Sequence, residues 1–416
     1  MAFPELLGIP SRLHTFDPTY QEAVTRVGAV NPTAYARSRN ALDGAVTGLS
    51  PYFTHGLLSL PDASHAIHAR HALGFEDKLV FEFGWREFFH HVWAHQKNPD
   101  AILQDMHAAA VWHGQYAETL PLDIREGCTG VAAVDKAVRI LYATGYLHNH
   151  MRMWLASYVV HVRKVHWRAG ADWLYGHLLD GDLPSNHLSW QWVAGTGSSK
   201  PYLFNAETVV RYAPLPWHSP GSVVDVTYDA MDRLAHARSA VAEGRALMHA
   251  GQAEPHCVTA PPAALGFTVP DAAAVQGRDV WIVHPWSLGA LPAGLPADTV
   301  VLGLAISDFH RAWPWSESRW AFVGARMAAV APLRWHADAA AIGAALAGAR
   351  RVRAVRAVHE PHLAPWLAQL ADCQAAPQLF PAVDRRCDSF SQWWTRCTRG
   401  LQGAEDLLAV NEVPAC

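Results

Sequence analysis

The stretch DGDLPSNHLSWQWVAGTG, residues 180–197, sets two carboxylates (Asp180, Asp182), an amide (Asn186) and two indoles (Trp190, Trp192) in one short run. Each type brings a different capacity. A buried charge must be paired, an amide can donate or accept as its partner changes, and an indole offers a flat apolar face with one N–H donor. Together they suit a flat ligand with polar edges, or a relay of aromatic rings. Two further stretches carry related types: EFGWREFF (82–89) holds Glu82 and Trp85, and HNHMRMW (148–154) holds Asn149, Arg152 and Met153. Taken singly, each of these residues reads as core packing or a polar surface position; their grouping is what points to a site.

The elements that must position them are mostly helical over residues 1–225. DASHAIHARHAL begins at Pro61-Asp62, and EDKLVFEFGWREFFHHVWAHQ repeats Leu79, Phe83, Phe89 and Val92 near helical spacing. VAAVDKAVRILYATG puts Val131, Val134, Val138 and Leu141 on one face and ends at Gly145, a C-cap residue. HNHMRMWLASYVVHVRK predicts another helix, and Gly181 and Pro184 make the opening stretch a loop that leads into a further one. TYDAMDRLAHARSAVAEGRALMHA (227–250) reads as one amphipathic helix, followed by an Ala/Pro/Gly-rich linker to 278. Beyond it the pattern changes: DVWIVHPWSL, TVVLGLAI, LRWHA and RVRAVRA read as strands alternating with helices, which predicts a parallel α/β arrangement. The expected organisation is therefore a mostly α domain over 1–225, a helix and linker over 226–278, and a smaller α/β parallel-sheet domain over 279–416.

Composition narrows the field. The 416 residues are 50% hydrophobic and 17% charged, an ordinary globular balance. Tryptophan is over-represented, with 18 copies against 14 Phe and 11 Tyr, which fits either an indole-rich core or flat-ligand packing. A formal net charge of -4 argues against a dedicated electrostatic nucleic-acid binder while leaving room for a local basic groove. The six cysteines form no C-x-x-C pair, which fits a reducing cytoplasm rather than a zinc or disulfide scaffold. MAFPELLGIPSR has no signal-peptide pattern, and no apolar run is long enough to span a bilayer. His65, His68 and His71, like His90, His91 and His95, lack a carboxylate pattern and read as helix-face or core residues rather than metal ligands. GTGSSK lacks the spacing of a phosphate loop.

In order along the chain, EFGWREFF, EGCTGVAAVDKAVRILYATGYLHNHMRMWLASYVV, HWRAGADWL and DGDLPSNHLSWQWVAGTG resemble the FAD-binding domain of the photolyase/cryptochrome family over about residues 30–215. The resemblance implies FAD as cofactor. Tyr35, Thr47, Leu49 and Ser50 fall at the family's phosphate-binding turn, where Val46 replaces one hydroxyl. Arg152 and Asp180 fall beside the flavin ring, Asp182 at its edge, Asn149 and Asn186 at flavin-contacting amides, with Asn186 facing N5. Trp190 and Trp167 match the inner and middle rings of an electron relay, and Trp112 lies near its outer member.

Glu82, Trp85, Met153 and Trp192 match the pocket that accepts a flipped cyclobutane pyrimidine dimer. The acid would bond the lesion and the indoles would stack on it. Arg86, Arg139, Lys164 and Lys200 are either phosphate contacts or solvated charges. Family members usually place an α/β antenna domain before the helical one; here the α/β half follows it, without the WFR-DLR signature, so the antenna pigment stays unassigned. The resemblance implies a monomeric, cytoplasmic light-driven repair enzyme acting on DNA that contains pyrimidine dimers, with no membrane partner. A cryptochrome-like photoreceptor without repair, and a structural flavoprotein or partner-binding helical module, are the alternatives.

Overall fold

In the computed structural model, residues 8–96, 103–106, 116–237, 251–357 and 359–410 are described. The helices of the first half are α1 (Tyr20–Gly28), α2 (Pro32–Ser38), α3 (Ser50–Thr54), α4 (Leu60–His71), α5 (Lys78–Ala94), α6 (Leu122–Arg125), α7 (Ala132–Thr144), α8 (Asn149–Ser157), α9 (Trp167–His177), α10 (Leu183–Ala194), α11 (Ala206–Tyr212) and α12 (Tyr228–His236). The second half holds α13 (Ser307–Ala312), α14 (Glu317–Val330), α15 (Ala339–Leu346), α16 (Leu363–Leu370), α17 (Phe390–Cys397) and α18 (Ala404–Val410). Its strands are β1 (Cys257–Val258), β2 (Asp279–Val283), β3 (Val300–Ile306), β4 (Trp315–Ser316), β5 (Leu333–Ala337), β6 (Arg351–Val355) and β7 (Asp372–Gln374). The protein is thus helical in its first half and carries a parallel sheet in its second, as the sequence predicts. No helix of the described residues is long and apolar enough to cross a membrane.

The chain divides into two compact units that do not follow sequence order. Residues 1–16, 33–46 and 96–255 form the first; residues 17–32, 47–95 and 256–416 form the second. Helices α1 and α3–α5 therefore belong with the sheet-bearing half rather than with α7–α12.

In the first unit the core is built by α7, α8, α9 and α10. Helix α7 buries Val134, Ala137, Val138 and Leu141, the one-face pattern of its sequence, and ends on left-handed Gly145. Buried Asp135 reaches back to accept from the backbone and hydroxyl of Thr129 and from the Gly130 amide, closing the orphan donors before the helix. The predicted single helix over 148–164 instead changes pitch: α8 runs to Ser157, a π-turn covers Tyr158–Val162, and Lys164 is left-handed at φ 51°. Of the long helix expected over 227–250, α12 covers Tyr228–His236, and 238–250 lie outside the described residues. The stretch read as a linker contains β1 and short 3-10 turns at Ala263–Leu265 and Ala272–Ala274.

The second unit holds a five-stranded sheet of order β5-β3-β2-β6-β7, every pairing parallel. The first strand lies in the middle; the chain winds outward through β3 and β5, then returns to add β6 and β7 on the other side, a doubly wound order. Strand β2 is apolar and buried from Val280 to Val283, as a strand covered on both faces must be. Within the same unit, His55 after α3 bonds the Pro285 carbonyl beyond β2 at 2.7 Å through Nδ1, and Leu288 N–H donates back to the His55 carbonyl at 2.9 Å.

Candidate functional site

Loop 178–182 and the starts of α8 and α10 assemble the polar part of the first unit. Leu179 N–H donates to the carbonyl of Gly145 at 2.8 Å, which ties the loop to the end of α7. Arg152, one turn into α8, donates to both Asp180 oxygens at 3.0 and 2.8 Å and, through Nε, to the Leu147 carbonyl at 2.9 Å, while its guanidinium lies over the Tyr146 ring. The Asp180 side chain is 3% exposed and that of Arg152 25%, so the pair keeps one open side on the cation. Asp182 caps α10 by accepting from the Ser185 N–H and hydroxyl. The Asn186 amide donates to the Ala171 carbonyl of α9 at 2.8 Å. Asn149 is exposed at the first residue of α8, with its amide 3.3 Å from the Met153 sulfur.

His148 fixes where α8 starts. Its Nδ1 accepts from the His150 N–H, so its Nε2–H donates to the Arg39 carbonyl at the end of α2. Burial, with His150 and Arg152 close by, pushes its pKa down to about 3, and the ring stays neutral. Half-buried Tyr35 sits on α2, where Arg39 approaches its ring.

The indoles divide by environment. Trp190 is buried against Gly170 of α9, and Trp167, the first residue of α9, is fully buried with its N–H donated to Asp105 at 2.6 Å. Trp192, two residues along α10, is 40% exposed, yet its ring stacks on Tyr202 at 5.6 Å and 28°. Met153 is half-buried on α8. Trp112 lies outside the described residues.

The remaining expected residues fall in the second unit. Thr47 and Ser50 are half-buried, Leu49 is buried, and Thr47 Oγ1 accepts from the Leu49 N–H in the turn before α3. Glu82 and Trp85 lie half-buried one turn apart on α5. The expected site residues thus fall into two sets, one in each unit.

Lys164 is not a phosphate contact or a solvated charge. It is buried, and its ammonium donates to the Leu234 and Ala235 carbonyls at the C-terminal end of α12, at 3.0 and 2.6 Å. Arg139 donates to the Gly127 carbonyl and Arg86 to Thr54 Oγ1.

Glu87, which sequence reasoning missed, lines α5 together with His91 and His95, read from the sequence as helix-face or core residues. Glu87, His91 and His95 are spaced i, i+4, i+8, one helical stripe. Glu87 is buried and accepts from the Leu379 and Phe380 amides at 2.6 and 3.0 Å; burial pushes its carboxyl up to about 7. His91 Nε2 accepts from the Cys387 N–H, and His95 Nε2 bonds the Asp384 carbonyl. The spacing was visible in the sequence, but its partners lie some 290 residues away. Among the described residues no cluster of three or more His, Cys, Asp or Glu has metal-binding geometry.

The polar set of the first unit suits a flavin: a half-open guanidinium paired to a buried carboxylate, a second carboxylate that caps a helix, and two amides. Comparison with known proteins agrees. Residues 79–214 match the family model described as the FAD binding domain of DNA photolyase. The deoxyribodipyrimidine photo-lyase of Streptomyces griseus is 37% identical over 155 residues, 37% of this chain and 33% of that protein. Cryptochrome-1 of Arabidopsis thaliana is 28% identical over 239 residues, 46% of this chain and 33% of that protein. A solved cryptochrome structure from Synechocystis sp. PCC6803 aligns with a TM-score of 0.43 at 21% identity, covering 56% of this chain and 55% of that one. The chain spans about a third of the length of these two curated relatives.

Proposed function

We propose that the protein splits cyclobutane pyrimidine dimers in DNA under blue light, a reading supported by the match of residues 79–214 to the family model described as the FAD binding domain of DNA photolyase. The observation that carries this reading is Trp192. A large indole left 40% exposed while its plane is fixed on Tyr202 is a stacking platform for a base, and it sits two residues from buried Trp190. A dimer cannot reach a buried cofactor from within the duplex, so it must be flipped out, and a flipped base needs such a platform.

FAD, when bound, would supply light-driven one-electron chemistry for opening the dimer ring. The chain does the rest. Arg152, held by Asp180, offers its open side to the flavin ring, while Asp182 and the amides of Asn149 and Asn186 address its polar edge. Thr47, Leu49 and Ser50 suit the phosphates, with Tyr35 upstream. Glu82 hydrogen-bonds the lesion, Trp85 and Trp192 stack on it, and Met153 packs beside it. Trp190 and Trp167 would relay electrons inward from an external thiol-type reductant when the cofactor is oxidised. In this reading the parallel-sheet region, residues 279–416, corresponds to the family's antenna domain in reversed order.

The test is illumination of the reduced protein with an oligonucleotide containing one thymine dimer. Restored thymine is expected; none under saturating blue light ends the repair reading. A photoreceptor without repair is the second reading, favoured by the net charge of -4 and by the likeness to a cryptochrome. It is the outcome if the flavin photoreduces but no dimer is split.

A further inference from the structure

Helix α17, near the far end of the described chain, lies on α5 through two ring-on-ring stacks. Trp85 and Phe390 are parallel to within 11° at 4.2 Å, and Phe81 and Trp394 to within 22° at 4.5 Å. The partners are spaced i, i+4 on both helices and run in opposite senses, 81 with 394 and 85 with 390, so the helices pair antiparallel. Gly84 allows the approach: a Cβ there would sit 2.6 Å from Trp394 Cζ3. Phe88 meets Phe390 edge-on at 5.8 Å, which closes the ring set on a second side.

The segment leading into α17 cannot slide. Glu87 holds the amides of Leu379 and Phe380, His91 holds that of Cys387, and His95 bonds the Asp384 carbonyl, all from the next stripe of α5. Arg396 on α17 donates to the Cys387 sulfur at 3.1 Å, fastening the helix to its own leading loop. Polar contacts thus set the position of α17, and α17 sets the plane of Trp85.

We propose that Phe390 is a positioning residue for lesion recognition: by covering one face of Trp85 it fixes the indole plane on which a flipped pyrimidine dimer stacks. The inference rests on the proposed reading of Trp85. An indole with only its helix neighbours Phe88 and Phe89 beside it would turn about its side-chain torsions, and a base would have to fix it on binding. With Phe390 behind it, that ordering is complete before DNA arrives. The same stack makes the C-terminal segment part of the substrate site, although its sequence lies outside the matched FAD-binding stretch.

The experiment measures dissociation constants of the full-length flavoprotein, in the dark, for an oligonucleotide with one thymine dimer and for its undamaged counterpart. An aromatic pair is worth enough that Phe390→Leu should weaken dimer binding about threefold to tenfold and leave undamaged binding unchanged. Phe390→Tyr, which keeps the plane, should bind within about twofold of the parent, a rescue that loss of packing alone would not give. Phe390→Met serves where the Leu variant does not fold, as judged by its thermal melt. Trp85→Ala is the control. If it removes the preference for the dimer while Phe390→Leu and Phe390→Met bind as the parent does, the positioning role is overturned and the repair reading stands. If Trp85→Ala itself keeps the full preference, the assignment of Trp85 fails and the inference fails with it.

Discussion

Acidification should release the flavin by unfolding the first unit, and the size of the effect follows from two histidines. His148 and His161 are both buried in that unit, with pKa values pushed down to about 3 and about 4 chiefly by burial. Their charged neighbours act in the same direction: His150, Arg152 and Arg39 near His148, and Lys164 and His236 near His161. At neutral pH both rings are neutral whether the chain is folded or not. As pH falls through 6.5 the unfolded chain takes up protons that the folded one refuses. Stability present above that pH is therefore lost progressively down to the folded values. Each ring costs about 2 kcal/mol between pH 7 and pH 5, so the pair removes about 4 kcal/mol, a large part of an ordinary domain's margin. Glu254, whose carboxyl is held low by His177 and Arg125, loses its stabilisation only at more acid pH, below its ordinary value of 4.5, and buried Asp135, held high by desolvation, acts in the opposite direction. The second unit is balanced differently. Glu87, with its pKa raised to about 7, gains stability on acidification and offsets one histidine, whereas His284 and His91, lowered to about 4, and His310, lowered well below the usual imidazole value, all lose it. The assay is urea unfolding followed by circular dichroism at the two pH values, with flavin absorbance reporting the first unit. His148→Gln can keep both hydrogen bonds without titrating, and should shrink the pH-dependent loss by about 2 kcal/mol. Equal stability of the parent protein at pH 7 and pH 5, or an unchanged loss in both His148→Gln and His161→Asn, would refute the reasoning.

Glu82→Ala should slow dimer splitting at least tenfold while the flavin remains bound, measured as thymine restored per photon absorbed; normal repair would remove Glu82 from the pocket. Trp190→Phe should block photoreduction of oxidised flavin, followed by absorbance under blue light, yet spare repair by chemically pre-reduced protein. Gly170→Ala would place a methyl 2.3 Å from Trp190 Cη2 and Cζ3, so the ring must move by about 1 Å or more. The overlap should outweigh the gain of about 1 kcal/mol in helix propensity, lowering the melting temperature and slowing photoreduction; a more stable variant with normal photoreduction would show that the Trp190 ring is free to move.

Much of the local structure was legible from spacing. The apolar face of α7, its Gly145 stop, the loop that leads into α10 and the strand–helix alternation after residue 279 are decided by neighbours a few positions apart, and local pattern reports those directly. The residues of α8 and α10 expected to meet a flavin stand out as types in two separate short runs, which the 178–182 loop and the two helix starts bring into one unit. Lys164 was misjudged for the complementary reason. A lysine at the end of a predicted helix reads as solvated, and nothing nearby in sequence announces that the carbonyls at the end of α12 will receive it.

The amino-acid sequence by itself determined the apolar face and stop of α7 and the strand–helix alternation after residue 279, and it named the residue types expected to meet a flavin. Only the tertiary structure decided that α3–α5 are built into the unit that bears the sheet, that Trp167 meets Asp105, and that Phe390 and Trp394 cover the rings of α5. Those contacts join residues tens to hundreds of positions apart. Burial and ring stacking depend on proximity in space and carry no period along the chain, so a linear pattern can name the partners on one side of such an interface and still be silent about the other.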